Sequence, residues 1–124
     1  MLSIRRYFDE LQLYLVINPI VKSVEVVSEE IGGQEGYLRV IIGLPDDSVI
    51  HCFEYVLFDG SIGISKYSFH WQDVTGNLIC RWDNDPHHPE LDNFPYHAHT
   101  KDKVSASSEM DIRKVLSEAK AVLE

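Results

Sequence analysis

Histidines are the residues of this chain best suited to acid–base chemistry, and most of them are concentrated in one stretch. Five of the six lie between residues 70 and 99, at His70, His87, His88, His97 and His99. An imidazole changes its charge near neutral pH, so it can take or give a proton during a reaction. We therefore expect the functional surface within the stretch from Tyr67 to His99.

His70 and Arg81 form the first candidate pair, because they fall on neighbouring strands of one predicted hairpin. A two-residue turn at Thr75-Gly76 would place His70 opposite Arg81, whereas a three-residue turn from Val74 to Gly76 with a bulge would shift the register by one and put them on opposite faces. The first register sets a proton-transfer group beside a fixed cation. RNA cleavage by attack of a 2′-hydroxyl group requires that combination.

The competing interpretation of this pair is structural. His70 would then pack within the sheet, and Arg81 would form an ion pair with Asp83 or Glu54. Buried polar side chains in strands are commonly satisfied in this way.

Four of the histidines follow in a proline-rich segment: His87, His88, His97 and His99. Each is a candidate to complement His70 in acid–base catalysis. A His-x-His step along an extended chain places both imidazoles on one face, and four imidazoles supply enough nitrogen ligands for zinc. A metal site is thus the alternative role of these residues. The main interpretation assigns the chain no metal and no cofactor.

Other polar and aromatic residues of the same stretch are assigned to substrate binding: Trp71, Trp82, Asp83, Asn84, Tyr96 and Lys101. Aromatic side chains can stack on unpaired bases. Aromatic residues in strands more often belong to the core, so core packing is the competing interpretation for the two tryptophans.

The elements that position these residues are predicted from hydrophobic periodicity and turn signals. One helix covers Met1–Asn18, and a second runs from Met110 to Leu123 with Ser108 or Asp111 near its cap. Strand patterns occur at residues 21–28, 37–42, 49–58, 62–72 and 78–83, and a long loop at 85–108. The predicted fold is α+β: a single domain over residues 1–124, with a mainly antiparallel five-stranded meander flanked by the N- and C-terminal helices.

The composition narrows the classes of function. The net charge of −9 disfavours broad, non-specific binding to nucleic acid, although it allows a small basic pocket. Neither a membrane span nor the apolar segment of a signal peptide is visible, so we expect a cytoplasmic protein that does not contact the membrane. A Gly-rich phosphate loop, a His-Glu-x-x-His motif and a Ser elbow are all missing from the sequence, which leaves several hydrolase classes without support.

Three motifs together resemble the TumE family of small toxins from bacterial and archaeal toxin–antitoxin pairs: Tyr67-Ser-Phe-His-Trp-Gln72, Arg81-Trp-Asp-Asn-Asp-Pro-His-His-Pro-Glu-Leu91 and Phe94-Pro-Tyr-His-Ala-His99. The resemblance is good over roughly residues 40 to 105 and poor in the N-terminal helix. It implies a cytoplasmic toxin whose partner is a helix-turn-helix antitoxin. RNA as the substrate rests on analogy with other toxins of this size.

The preferred interpretation is a toxin that acts as a metal-independent endoribonuclease. His70 and one loop histidine would exchange protons while Arg81 binds phosphate, and a homodimer is compatible with this role. The alternatives are a non-enzymatic protein-interaction domain and a regulator that binds metal through the loop histidines. Incubation of the purified chain with RNA, with and without chelator, distinguishes the three.

Overall fold

Residues 2–124, which are described by this computed structural model, form two helices and one seven-stranded sheet. The helices are α1 (Ile4–Ile17) and α2 (Ile112–Leu123). The strands are β1 (Ser23–Gly32), β2 (Glu35–Gly43), β3 (Val49–Phe58), β4 (Ile62–Gln72), β5 (Leu78–Asp83), β6 (His97–Thr100) and β7 (Lys103–Ala106). Each strand pairs antiparallel with the next in chain order. The α+β class and the antiparallel meander are therefore as predicted.

The prediction of five strands is wrong, because β6 and β7 lie inside the segment expected to be a loop. Each of these strands has only four residues, and polar side chains replace the apolar alternation by which a strand is recognised. Pairing with β5 makes β6 a strand: Arg81 lies opposite His99, and Asp83 lies opposite His97. The remaining loop covers residues 84–96 and is called the histidine loop below.

Local capping explains where the helices begin. The Ser3 hydroxyl accepts a backbone N–H of the first turn of α1 at 3.0 Å. The predicted start of this helix at Met1 lies outside the described residues. Asp111 is the N-cap of α2 and accepts the Lys114 N–H at 2.8 Å, so the second of the two predicted caps is correct. Within residues 2–124, neither helix has the length and apolarity that a membrane span needs.

Both helices cover the same face of the sheet, as their contacts with Glu54 show. The Tyr7 hydroxyl of α1 donates to Glu54 Oε1 at 2.5 Å, and the Ile112 N–H at the start of α2 donates to Oε2 at 3.0 Å. The alternate residues of β2, β3 and β4 that point to this face are buried with the apolar sides of the helices. The helices leave the other face of the sheet uncovered, and the candidate site lies on that open face.

Candidate functional site

The β4–β5 hairpin places His70 directly opposite Arg81. Next to the turn, Gln72 pairs with Leu78, which is the register of a three-residue turn. Ile79 is then the extra residue of a β-bulge, and beyond it the pairing shifts by one position. The hairpin thus has a three-residue turn with a bulge, and the prediction that this turn would put His70 and Arg81 on opposite faces is wrong. The bulge restores the pairing that was expected from the two-residue turn.

A row of four basic residues crosses the open face on four neighbouring strands. His51 on β3 pairs with His70 on β4, which pairs with Arg81 on β5, which pairs with His99 on β6. We call these four residues the basic row. His51 is not among the residues predicted from the sequence, because its position opposite His70 depends on another bulge, between Tyr55 and Val56 in the β3–β4 pairing.

A cleft of about 340 Å³, here called the sheet cleft, contains three members of the basic row. It is lined by Val27, Arg39, Val40, Ile41, His51, Cys52, Phe53, Ser68, His70 and Arg81. The ring centroids of His51 and His70 lie 6.3 Å apart, and the guanidinium of Arg39 lies 4.2 Å from the centre of the Phe53 ring. Among the described residues, this lining includes two arginines and two histidines but no carboxylate.

The surroundings of His70 favour its neutral form. Partial burial lowers the pKa of His70 from 6.5, and the nearby Arg81 and His51 act in the same direction. A hydrogen bond with Gln72 opposes them. A neutral imidazole at neutral pH can accept a proton, as a general base must.

A second cleft of about 200 Å³, the loop cleft, lies between the histidine loop and strands β5 and β6. It is lined by Arg81, Asp83, Asp85, His87, His88, His97 and His99. Asp83 is its central anion and is only 5% exposed: Oδ2 accepts Arg81 Nε at 3.1 Å, and Oδ1 lies 2.8 Å from His97 Nε2. The predicted Arg81–Asp83 ion pair therefore exists, and Arg81 still belongs to both clefts.

Three of the four loop-region histidines come together in this cleft. His88 lies against the rings of His97 and His99, and their potential ligand atoms all lie within 4.8 Å of one another. His97 is 3% exposed, and burial lowers the pKa of His99 although the Asp83 carboxylate raises it. His87 is exposed and lies outside this three-histidine group.

The predicted stacking of Trp71 and Trp82 on bases is wrong, because both rings are in the core. Trp71 is 2% exposed and Trp82 is 7% exposed, each on the face that the helices cover. Trp71 Nε1 also donates to the Ser48 hydroxyl at 2.9 Å, so its polar atom is satisfied inside the protein. The competing interpretation, core packing, is the correct one for these two residues.

The other predicted substrate-binding residues have separate surroundings. The side-chain amide of Asn84 accepts a hydrogen bond from the Tyr67 N–H and donates one to the Ser65 carbonyl, both on β4. The Tyr96 ring stacks on Tyr67, and its hydroxyl donates to Glu109. Lys101 is exposed in the β6–β7 turn. Asp83 is thus the one member of this group that lines a cleft of the open face.

Similarity to known proteins identifies the family. Among curated proteins and among solved structures, nothing matches the chain. The family model described as toxin TumE matches residues 10–124, which is nearly the whole length and includes both clefts. This match agrees with the resemblance found in the motifs, supports a toxin role and implies an antitoxin partner. The chain belongs to the TumE toxin family.

Proposed function

We propose that this protein is a toxin that cleaves RNA without a metal ion in the chemical step, and that the sheet cleft is its active site. The observation that carries the proposal is the basic row, which sets His51, His70 and Arg81 side by side on adjacent strands. Two imidazoles next to a fixed guanidinium are the groups that transesterification of RNA requires.

In the proposed reaction, His70 accepts the proton of a 2′-hydroxyl group as that oxygen attacks phosphorus. The bond between phosphorus and the 5′ oxygen breaks, and His51 donates a proton to the leaving oxygen. The products are a 2′,3′-cyclic phosphate and a 5′-hydroxyl end. We assign the acid role to His51 rather than to a loop histidine, because two strand spacings of about 4.8 Å separate His70 from His99.

Arg81 is suited to bind the phosphate in this reaction. Its contact with Asp83 uses Nε, so the two terminal amino groups are the ones available to non-bridging oxygens. The contact also fixes the orientation of the guanidinium, which reduces the entropy lost on binding. The cationic lining of the sheet cleft supports an anionic substrate although the whole chain carries a charge of −9.

The partner in this proposal is a helix-turn-helix antitoxin that covers the open face of the sheet. An inhibitor of a nuclease must exclude RNA from its active site, and the open face is the surface that carries both clefts. An antitoxin bound at the open face could neutralise the toxin without altering the fold of the toxin.

The test is incubation of the purified chain with RNA in the presence of a chelator. We expect cleavage to continue and to leave 2′,3′-cyclic phosphate ends, and a substrate with 2′-deoxyribose at the cleaved position should resist. Wild-type protein that stops growth but cleaves no RNA would contradict the proposal. Cleavage that stops with chelator and returns with a metal ion would contradict the metal-independent step.

Substitutions of His70 and Arg81 distinguish a catalytic role of these residues from a structural one. His70→Ala and Arg81→Ala should each slow cleavage by roughly 10²–10⁴-fold. The free energy of unfolding should change by only about 0.5 kcal/mol for His70→Ala at the open sheet face, whereas Arg81→Ala should lower it by about 1–3 kcal/mol because the buried Asp83 carboxylate loses a hydrogen-bond donor. Arg6→Ala is the matched control, since Arg6 is also paired with a carboxylate but lies on α1. Folded His70→Ala and Arg81→Ala proteins that still cleave RNA would show that the assigned site is wrong.

A further inference from the structure

We propose that His88, His97 and His99, together with Asp83, form a binding site for a divalent transition metal such as Zn²⁺. This site lies in the loop cleft, and the proposed cleavage step does not use its metal ion. The ring centroids are 5.2 Å apart for His88 and His97, 5.8 Å for His88 and His99, and 4.7 Å for His97 and His99. Three imidazoles meet there from one loop and one strand, and their ligand atoms all lie within 4.8 Å.

The hydrogen bonds of two of these rings orient them as metal ligands are usually oriented. His97 Nδ1 donates to the Pro95 carbonyl at 2.9 Å, so Nε2, which lies 2.8 Å from Asp83 Oδ1, is the atom at which a metal ion would replace a proton. His88 Nδ1 lies 3.1 Å from Glu90 Oε1, so its Nε2 is likewise the available nitrogen. Metal-bound histidines almost always donate their other ring N–H to a carbonyl or carboxylate oxygen, which fixes the tautomer.

Asp83 lies beside two of the three rings and is the candidate for the fourth ligand. Its Oδ1 lies 2.8 Å from His97 Nε2, and its Oδ2 lies 3.6 Å from His99 Nε2. Bonds of 2.0–2.1 Å in a tetrahedral zinc site put neighbouring ligand atoms about 3.3 Å apart, so the contact with His97 would lengthen when a metal ion binds between the two groups. The Asp85 N–H and Arg81 Nε hold the same carboxylate from outside, each at 3.1 Å. The ring nitrogens lie within 4.8 Å of one another, so they would approach by up to about 1.5 Å to complete a four-coordinate site with nitrogen and oxygen ligands.

The position of the site indicates what the metal does. His88 belongs to the histidine loop, whereas His97 and His99 belong to β6 and Asp83 ends β5. A metal bound by all four would therefore fasten the loop to the sheet next to Arg81, and its binding free energy would add to the stability of the folded chain. We expect a structural ion that holds the wall of the loop cleft in place.

The experiment is a titration of Zn²⁺ into the full chain after treatment with chelator, followed by calorimetry and thermal unfolding. We expect one ion per chain and a higher melting temperature with Zn²⁺. Co²⁺ should give the visible absorption of a tetrahedral complex. His88→Ala and His99→Ala should each weaken Zn²⁺ binding by roughly 100-fold, and Glu90→Gln by about tenfold through its effect on His88. We substitute His99 and not His97, because His97 is buried and its replacement would lower the stability of the fold more.

His87→Ala is the matched control, because His87 is the sequence neighbour of His88 but lies outside the three-histidine group. It should bind Zn²⁺ as the wild type does. Equal Zn²⁺ binding by folded His88→Ala and His99→Ala proteins, or loss of binding in His87→Ala, would overturn the site. Wild-type protein that binds no Zn²⁺ would overturn it as well. Calorimetry and the melting temperature report Zn²⁺ binding without any RNA, so the failure of this site and the failure of the proposed cleavage are distinguishable.

Discussion

His70 shows how the position of one side chain sets its chemistry. Partial burial, the Arg81 guanidinium and the His51 ring all lower the pKa of this imidazole from 6.5. A lower pKa means that the ring loses its proton at a more acidic pH, so the neutral form predominates at neutral pH. The same ring on an isolated strand would lack these neighbours and would keep its proton up to a higher pH.

An NMR titration of the His70 ring should therefore show a midpoint below pH 6.5. Arg81→Gln should raise that midpoint, because the variant removes a positive charge that disfavours the protonated ring. Cleavage by the wild type should fall as the pH drops through the His70 midpoint, since the base is then protonated. A midpoint at or above 6.5, or one that Arg81→Gln leaves unchanged, would contradict the assigned surroundings of His70.

At the scale of the elements, Glu54 joins three parts of the fold. It lies on β3, accepts hydrogen bonds from α1 and from the start of α2, and is fully buried. Burial raises its pKa from 4.5, while the hydrogen bonds from Tyr7 and Ile112 lower it and the neighbouring Asp111 and Arg113 act in opposite directions. The net result is a raised pKa, so folding disfavours the ionised form of Glu54.

This buried carboxyl predicts how the free energy of unfolding depends on pH. A raised pKa in the folded state contributes stability that is fully present below the unfolded pKa and is lost as the pH rises through the folded value. Relative to the wild type, Glu54→Gln should therefore gain stability as the pH rises above 4.5. Chemical denaturation of both proteins across this range measures the difference, and parallel pH profiles would contradict the prediction.

Tyr7→Phe tests the same contact from the α1 side. The variant leaves one oxygen of the buried Glu54 carboxyl group without its hydrogen-bond donor, which should cost about 2 kcal/mol of unfolding free energy at neutral pH. Since that bond lowers the pKa of Glu54, the loss of stability with rising pH should become steeper than in the wild type. Denaturation at two pH values is sufficient. An unchanged slope would show that Tyr7 does not influence the ionisation of Glu54.

At the scale of the whole molecule, the distribution of charge decides more than the net charge where an anionic partner can bind. The chain carries a net charge of −9, yet the sheet cleft brings Arg39, His51, His70 and Arg81 together. The acidic residues elsewhere limit non-specific contact with nucleic acid, because long-range repulsion acts on every polyanion. Under the proposed function, an RNA segment or an antitoxin would therefore have to present its binding groups at close range to the open face.

The affinity for the antitoxin should depend on the charge of the open face. Arg39→Glu should weaken antitoxin binding by roughly tenfold, equivalent to about 1.4 kcal/mol, whereas Arg6→Glu on α1 should leave it unchanged. Calorimetry with the purified partner measures both variants. Antitoxin binding by Arg39→Glu as tight as by the wild type would show that the antitoxin does not bind at the open face.

Overexpression of the wild-type protein without its antitoxin should stop growth. Normal growth would count against toxicity of this protein.

Much of this molecule follows from local sequence alone. The two helices and the first five strands are set by apolar periodicity, caps and turns, because those signals act within a few residues. The motif residues from Tyr67 to His99 likewise identified the family without any structure. His97 and His99 were expected on one face of an extended segment, and β6 places them so.

Only the tertiary structure decided which of these residues meet. Bulges at Ile79 and between Tyr55 and Val56 set the registers that align His51, His70 and Arg81, and a bulge depends on pairing with a neighbouring strand. The strand β6 has too few apolar residues to be recognised alone and forms because β5 offers it a paired edge. Burial of Trp71 and Trp82 was ambiguous for the same reason, since a one-residue change of register moves every side chain of a strand to the other face.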